Sequence, residues 1–175
     1  MEITLASGGS LAGELMSGLD LSGIDFQRTS LEGCDLRYSN MAHANLEKMD
    51  LSGANLGGAN LSESNLNGAV LRKADLRWSI LLGVTAVGTD FSETGFLESR
   101  LSFSNFTEAD FSRSDLRRSD LTDAIFVSSN FYQSNMAKVD LRHSEIAGAN
   151  FECANTHGLR LPDNSSSSCD INDPR

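Results

Sequence analysis

The chain has 175 residues, 14 of them basic and 24 acidic, and its net charge of −10 argues against direct binding to nucleic acid or to an anionic membrane. No stretch approaches the roughly 20 apolar residues that a membrane span needs, and the start MEITLASGGSLAGEL lacks the basic and apolar regions of a secretory signal. Three cysteines, Cys34, Cys153 and Cys169, do not form a disulfide framework and fit a reducing compartment. These features predict a cytoplasmic protein built as one domain or one repeat array.

The first 15 residues differ from the rest of the chain. They include Ile3 and Leu5 but lack the full five-residue pattern of the residues that follow. Since the ends of a repeat array need caps, residues 1–15 are predicted to cap its N-terminal end.

A large apolar residue returns at every fifth position from Leu11 to Phe151. Of these 29 positions, 28 hold Leu, Phe, Met or Ile, the exception being Ala86, and eight of the nine phenylalanines lie among them. A helix would spread such residues about 140° apart around its axis, and a continuous strand would send alternate ones to opposite faces. The chain must therefore turn once in each repeat.

The other positions of the repeat are also regular. Two residues before each large residue, from Thr29 to Ala149, stands a small one, with Met49, Val84 and Val139 as the larger members. The residue between them is usually Asp or Asn, which can hydrogen-bond the backbone at a corner. The two residues after the large one are mostly polar or glycine, as expected of solvent-facing corners.

This pattern, [Ser/Thr/Ala/Val]-[Asp/Asn]-[Leu/Phe]-x-x, occurs in GANLGGANLSESNL and SRSDLRRSDL. It resembles the pentapeptide-repeat family over roughly residues 14–155. The resemblance implies an all-β fold, a right-handed quadrilateral parallel β-helix with four repeats in each coil. It implies little about function, because members of that family do different things.

With four repeats per coil, residues 20 apart stack, and the large residues from Met16 to Phe151 make about seven coils. At about 4.8 Å per coil the rod is about 34 Å long. The β-helix is predicted over residues 16–156, followed by a C-terminal cap and tail over 157–175. Leu159 and Leu161 are expected to fold over the last coil, and the tail DNSSSSCDINDPR is expected to be disordered.

Arginines recur every 40 residues, at Arg37, Arg77 and Arg117, with Tyr38 and Trp78 beside the first two. They would stack on every second coil of one column. One interpretation is a docking strip for an acidic partner, with an aromatic residue as its anchor. The alternative is that these arginines offset the aspartates two residues before them, Asp35, Asp75 and Asp115.

The segment WSILLGVTAVGTD, residues 78–90, departs from the pattern. Ile80 takes an Asp/Asn position and Leu82 a corner position, while Phe103, one coil later, stands outward above Gly83. Ile80, Leu82 and Phe103 would form an exposed apolar cluster, which is a common mark of an interface. The alternative is a local bulge that folds these side chains inward.

No phosphate-binding loop, nucleophile motif or zinc-spaced cysteine pair occurs. His43 and His143 would lie five coils, about 24 Å, apart and could not share a metal ion. We therefore expect no enzyme activity, no metal and no cofactor.

The predicted function is that of a non-enzymatic protein-interaction module or structural scaffold, a rigid acidic rod whose protein partner is unidentified, with a homodimer left open. The family resemblance implies one alternative, a DNA mimic that binds DNA gyrase or topoisomerase IV, as the quinolone-resistance members do. The acidic balance and rod shape favour it. The spread of negative charge over three faces and the short GLRL segment near the C-terminus weaken it.

Overall fold

The computed structural model describes residues 10–26 and 29–162. Within them the chain forms a right-handed quadrilateral parallel β-helix, in which every fifth residue pairs with the residues 20 positions before and after it. These parallel pairs run from Ser10 with Ser30 to Asp140 with Arg160. The described part contains no helix, and its strands are single paired residues at every fifth position from Ser10 to Arg160. The predicted fold class is confirmed.

Each repeat turns its corner with one residue in the left-handed region of backbone space. This residue is the second after each large residue, and it has a positive φ in every described repeat, with 11 glycines and 18 other residues in that position. Left-handed backbone costs an ordinary residue roughly 1–2 kcal/mol. Glycine avoids this cost, which explains why it is common at the corners.

The repeat of residues 75–79 shows how the backbone amides find acceptors. Asp75 N donates to Ala54 O of the preceding coil, while Leu76 N and Trp78 N donate to Gly95 O and Leu97 O of the following coil. Ser79 N closes the turn by donating to Leu76 O at 3.1 Å.

One amide, that of Arg77, has no backbone acceptor, and it donates to the Asp75 side chain at 3.1 Å. The Asp/Asn position therefore completes the hydrogen bonding of the repeat, as Asx side chains do in turns. The predicted role of these residues in corner hydrogen bonding is confirmed.

The large residues fill the interior. All of them from Met16 to Leu141 are buried, Ala86 included, and Phe151 is 8% exposed. Phe91, Phe111, Phe131 and Phe151 form one stack with ring centroids 5.0–5.1 Å apart. A second stack, Phe106 on Phe126, meets it edge to face. Stacked phenylalanine rings therefore fill the interior of the second half of the rod.

The small residues form a second inward layer. Met49, Val84 and Val139 are buried in it together with the alanines. Most of its serines bond to a turn carbonyl, either of their own turn, as where Ser79 Oγ donates to Leu76 O at 2.6 Å, or of the preceding coil, as where Ser119 Oγ donates to Phe96 O at 2.7 Å. Hydroxyl groups are therefore tolerated in this layer, because the turn carbonyl lies within reach.

Coil pairing extends on both sides of the predicted limits of 16 and 156, since Ser10 and Arg160 are paired in the same register. Leu159 and Leu161 pack partly buried against the core, as expected. Most of the predicted N-terminal cap, residues 1–9, and the tail predicted to be disordered, residues 163–175, lie outside the described residues.

Two substitutions only two residues apart test this register. Leu101 is fully buried and Phe103 is 69% exposed. Leu101→Asp places a charge in the core and should lower the free energy of unfolding by more than about 4 kcal/mol. Phe103→Asp should change it by no more than about 0.5 kcal/mol. Thermal and urea unfolding followed by circular dichroism measures both, and a stable Leu101→Asp protein would contradict the register.

Candidate functional site

Three of the described residues carry exposed large aromatic side chains, and all three occupy the left-handed corner position. Tyr38 and Phe103 are each 69% exposed and Trp78 is 51% exposed, with φ values of 58°, 60° and 60°. The other eight phenylalanines lie in the interior column. The corner position therefore presents aromatic rings at fixed places on a rigid surface.

Side chains at this corner position lean toward the following coil. A Cβ atom placed on Gly83 would meet Glu63 Cγ at 3.5 Å, and one placed on Gly58 would lie 2.6 Å from Cδ1 of Tyr38. The Tyr38 ring thus rests against Gly58, which has no side chain to displace it. Any larger residue at position 58 would push the ring away.

The three recurring arginines are each held by the aspartate two residues earlier. In every case Nε donates to Oδ1 and Nη2 to Oδ2 of that aspartate. The Nη2 to Oδ2 distances are 2.6, 2.5 and 2.7 Å for Arg37, Arg77 and Arg117. The interpretation that these arginines offset the neighbouring aspartates describes the observed contacts, so the strip carries little unpaired charge.

These contacts shift the pKa values of the carboxyl groups. Hydrogen bonds from the Arg37 side chain hold the pKa of Asp35 below its ordinary value. For Asp75, partial burial raises the pKa, but hydrogen bonds from Arg77 outweigh it and the pKa is lowered. The pKa of Asp115 is lowered in the same way as that of Asp35. These aspartates are therefore charged at neutral pH.

Trp78 is packed against its own neighbour in this strip. The guanidinium carbon of Arg77 lies 5.2 Å from the centroid of the Trp78 ring, within the range of a cation–π contact, worth about 0.5–1 kcal/mol at an exposed site. Because Asp75 fixes the guanidinium from its Nε and Nη2 side, Nη1 is directed away from the carboxylate. The Trp78 ring and the Nη1 group of Arg77 are thus held in fixed positions at the surface.

The second predicted cluster, Ile80, Leu82 and Phe103, is hereafter the apolar patch. Ile80 and Leu82 are half-buried and Phe103 is exposed. Ile80 pairs with Asn60 and with Arg100 in the regular register, so the alternative of a bulge over these residues does not occur. The structure brings the three side chains onto adjacent coils of one column.

The departure from the pattern at residues 80–88 is compensated by neighbouring coils. Thr85 replaces the usual Asp or Asn, and Val87 N donates instead to Asn67 Oδ1, one coil earlier, at 2.9 Å. Val84 N donates to Ser104 Oγ, one coil later, at 3.1 Å. The backbone therefore stays regular under the apolar patch.

One charged residue beside the apolar patch was missed by the sequence reasoning. Arg100 occupies an Asp/Asn position directly above Ile80, is exposed, and makes no side-chain hydrogen bond or ion pair to the described residues. Other arginines on the rod are paired, as Arg72 is with Asp90 and Arg118 with Glu98. Arg100 could have been noticed in the sequence, because it is a basic residue at a repeat position that elsewhere usually holds Asp or Asn.

The histidines do not form a metal centre. His43 Nδ1 lies 3.4 Å from a Glu63 carboxylate oxygen, and no group of three metal-ligating side chains occurs among the residues that the structure describes. None of the described residues forms a helix long and apolar enough to cross a membrane.

The family model for pentapeptide repeats (8 copies) matches residues 16–53, 50–85, 87–123 and 124–155. The chain belongs to the pentapeptide-repeat family. A search of curated proteins gives no match.

Solved pentapeptide-repeat proteins are among the structures that match this chain. HetL, involved in heterocyst differentiation regulation in the cyanobacterium Nostoc, is 21% identical, with 91% of this chain and 88% of HetL covered and a TM-score of 0.38. A protein of the Arabidopsis thaliana thylakoid lumen is 26% identical, with coverages of 62% and 69% and a TM-score of 0.36.

QnrB1, a plasmid-mediated fluoroquinolone resistance protein, is 18% identical in a trypsin-treated variant, with coverages of 90% and 92% and a TM-score of 0.29. At such identities and TM-scores none of the three indicates the partner of this pentapeptide-repeat protein.

Removing the aspartates of the strip should flatten the acid sensitivity of this protein. Because the pKa values of Asp35, Asp75 and Asp115 are lowered in the folded state, their contribution to stability is present above the unfolded pKa of about 3.9. It is lost as the pH falls through the folded values. The triple Asp→Asn variant keeps the corner hydrogen bond, since Asn fills the same position in other repeats, but loses the ion pairs.

The midpoint of thermal unfolding of the triple variant should fall less steeply than that of the parent between about pH 4 and about pH 2, the range in which carboxyl groups titrate. Asp50→Asn is the control, at an aspartate with no ion pair to the described residues. Identical pH profiles of parent and triple variant would show that the arginine contacts do not stabilise the fold.

Proposed function

We propose that this pentapeptide-repeat protein is a non-enzymatic interaction module that binds a partner protein along the face carrying Arg37, Arg77, Arg117, Tyr38 and Trp78, hereafter the arginine strip. The observation that carries the proposal is the half-exposed Trp78 ring with the Arg77 guanidinium held over it by Asp75. Tryptophan, tyrosine and arginine are the residues that contribute most often to binding energy at interfaces.

The arginine strip is pre-organised, which favours binding. Ordering a long side chain on association costs roughly 0.5–1.5 kcal/mol, and the bidentate contacts to aspartate meet part of that cost before a partner arrives. The position between Arg37 and Arg77 is Gly57, whereas the position between Arg77 and Arg117 is Leu97. A Cβ on Gly57 would lie 3.8 Å from Arg37 Cγ, so the Arg37 side chain passes close over Gly57.

The contacts also define the kind of partner. Since each guanidinium is already paired with a carboxylate, a strongly acidic partner gains little from the strip. The surface instead suits an apolar side chain against the Trp78 ring and a neutral acceptor, such as a backbone carbonyl, on Arg77 Nη1. We propose a cytoplasmic location for this interaction, supported by the unpaired thiols Cys34 and Cys153.

A photo-crosslinking amino acid tests this face. Placed at position 78, it should give one discrete crosslinked protein in a lysate of the organism that encodes the chain. Placed at Ser128, an exposed corner residue with the same backbone conformation in another column, it should not. Trp78→Ser, used as unlabelled competitor, should compete at least tenfold less well than the parent protein, which corresponds to about 1.4 kcal/mol.

Equal crosslinking from positions 78 and 128 would contradict the proposal. Undiminished competition by Trp78→Ser would do so as well, because the ring would then contribute nothing to binding.

The alternative function, a DNA mimic that binds a type II topoisomerase, has weaker support. A DNA-like surface needs rows of carboxylates whose charge reaches the partner. Here many of the outward aspartates are paired with arginines on the same surface, namely Asp35, Asp75, Asp90, Asp115 and Asp140.

We therefore expect the purified protein at micromolar concentration to leave gyrase supercoiling unchanged. We also expect it not to restore supercoiling in the presence of a fluoroquinolone. A gel assay of plasmid topoisomers measures both. If the parent protein inhibits gyrase, or protects it from the fluoroquinolone, the topoisomerase alternative is supported. If the Trp78→Ser variant has the same effect, the effect does not depend on the arginine strip.

A further inference from the structure

The arginine strip repeats on every second coil of the rod. Arg37, Arg77 and Arg117 recur every 40 residues, and Tyr38 and Trp78 at the neighbouring corner are separated by the same interval. Two coils of about 4.8 Å each place successive members about 9.6 Å apart along the rod. Because the coils are parallel and in register, this spacing is rigid. A partner that contacts more than one member must therefore present matching groups at the same interval.

Polyproline II is the regular backbone conformation whose period fits this interval best. It has three residues per turn and rises about 3.1 Å per residue, so side chains three positions apart lie on one edge about 9.3 Å apart. An α-helix returns a side chain to the same face after seven residues, at about 10.5 Å, and a β-strand does so at about 6.6 Å or about 13 Å. Over the two intervals from Arg37 to Arg117 the mismatch is about 0.6 Å for polyproline II and about 1.8 Å for the helix.

Hydrogen bonding along the strip favours the same conformation. Both carboxylate oxygens of Asp75 accept from Arg77, Oδ1 from the backbone N and from Nε, and Oδ2 from Nη2. The other two aspartates of the strip are occupied by their arginines in the same way. The surface therefore suits a partner that brings acceptors and few donors. Polyproline II leaves its carbonyl groups free, proline has no N–H, and an α-helix uses its carbonyl groups internally.

Tyr38 and Trp78 provide apolar surface for proline rings. Their side chains are 69% and 51% exposed, and both hold the same corner conformation. The corner between them is Gly58, which carries no side chain of its own and lies under the Tyr38 ring. Aromatic side chains line the usual docking sites of proline-rich segments. Two prolines three positions apart can therefore each contact one ring.

The segment must come from another protein. The two prolines of this chain, Pro162 and Pro174, are 12 positions apart and cannot contact both rings from successive turns. The segment is also expected to be uncharged where it meets the strip, since each guanidinium is already paired with an aspartate.

We propose that the partner of the arginine strip is a proline-rich segment in the polyproline II conformation, lying parallel to the axis of the rod. This inference rests on the proposed function, because it names the partner of the same surface. Prolines three positions apart pack on Tyr38 and Trp78. One carbonyl group in each turn accepts a hydrogen bond from Nη1 of Arg37, Arg77 or Arg117. The segment loses little conformational entropy on binding, because polyproline II is preformed.

A synthetic peptide tests the proposal. The probe is Pro-Ala-Ser repeated four times, which places a proline at every third position. The control peptide has the same composition with its prolines at every second position, so that no two of them are three positions apart. Trp78 is the only tryptophan of the chain, and its fluorescence therefore reports contact at the strip. Titration into the low millimolar range should give a saturable change in emission with the probe, and at least tenfold weaker binding of the control peptide.

Three variants test the contacts. Tyr38→Ser should weaken binding of the probe at least tenfold, because it removes one of the two rings. Arg77→Lys should weaken it as well, since lysine keeps the charge but lacks the guanidinium fork. Phe103→Ser is the matched control, because Phe103 has the same 69% exposure as Tyr38 and the same corner conformation on another column. It should bind the probe like the parent protein, and circular dichroism should show that all three variants are folded.

The absence of a saturable response to the probe would overturn the proposal. Equal binding of the two peptides, or equal weakening by Tyr38→Ser and Phe103→Ser, would overturn it as well. The probe in excess should also reduce the crosslink formed from position 78. A discrete crosslink that the probe leaves unchanged would support the proposed function and overturn the proline-rich partner, whereas the absence of any discrete crosslink would contradict the proposed function itself.

Discussion

Every five-residue repeat of this chain must turn a corner and still provide each backbone N–H with an acceptor. Four of the five amides find carbonyl groups, one within the turn and three on the coils before and after. The fifth depends on an Asp or Asn side chain. Because this arrangement closes only when residues 20 apart are in register, one inserted residue would break pairing on both neighbouring coils. The uniform spacing of the whole chain follows from this constraint.

The same constraint determines which positions are available for function. The large and small columns are committed to the interior, and the Asp/Asn column to the fifth amide. The corner residue needs a positive φ, for which glycine is the least costly choice, so the fold has no need of Tyr38, Trp78 or Phe103 at that position. Their exposed aromatic rings distinguish these three corners from the other corners that hold a residue other than glycine.

Much of the fold was predictable because the pattern is periodic and local. The positions of Leu101 and Phe103 in the five-residue repeat predicted that Leu101 lies in the core and Phe103 in solvent, and both predictions are confirmed. The site was less predictable. The sequence allowed Arg77 to act either as a free charge or as the partner of Asp75, since spacing alone does not select the conformer of a long side chain. It also placed Ile80 and Leu82 on the surface, where neighbouring residues leave them half-buried.

Sequence alone determines the length of the repeat and which of its positions holds the large residue. These two facts decide which residues are interior and which are exterior, because a five-residue repeat has one regular way to bury its large side chains. The tertiary structure decides how surface residues 20 positions apart combine. The contact of the Tyr38 ring with Gly58 and the grouping of Ile80, Leu82 and Phe103 on adjacent coils both arise between coils. These contacts join residues distant in the chain, and their geometry depends on side-chain conformations that a one-dimensional pattern does not contain.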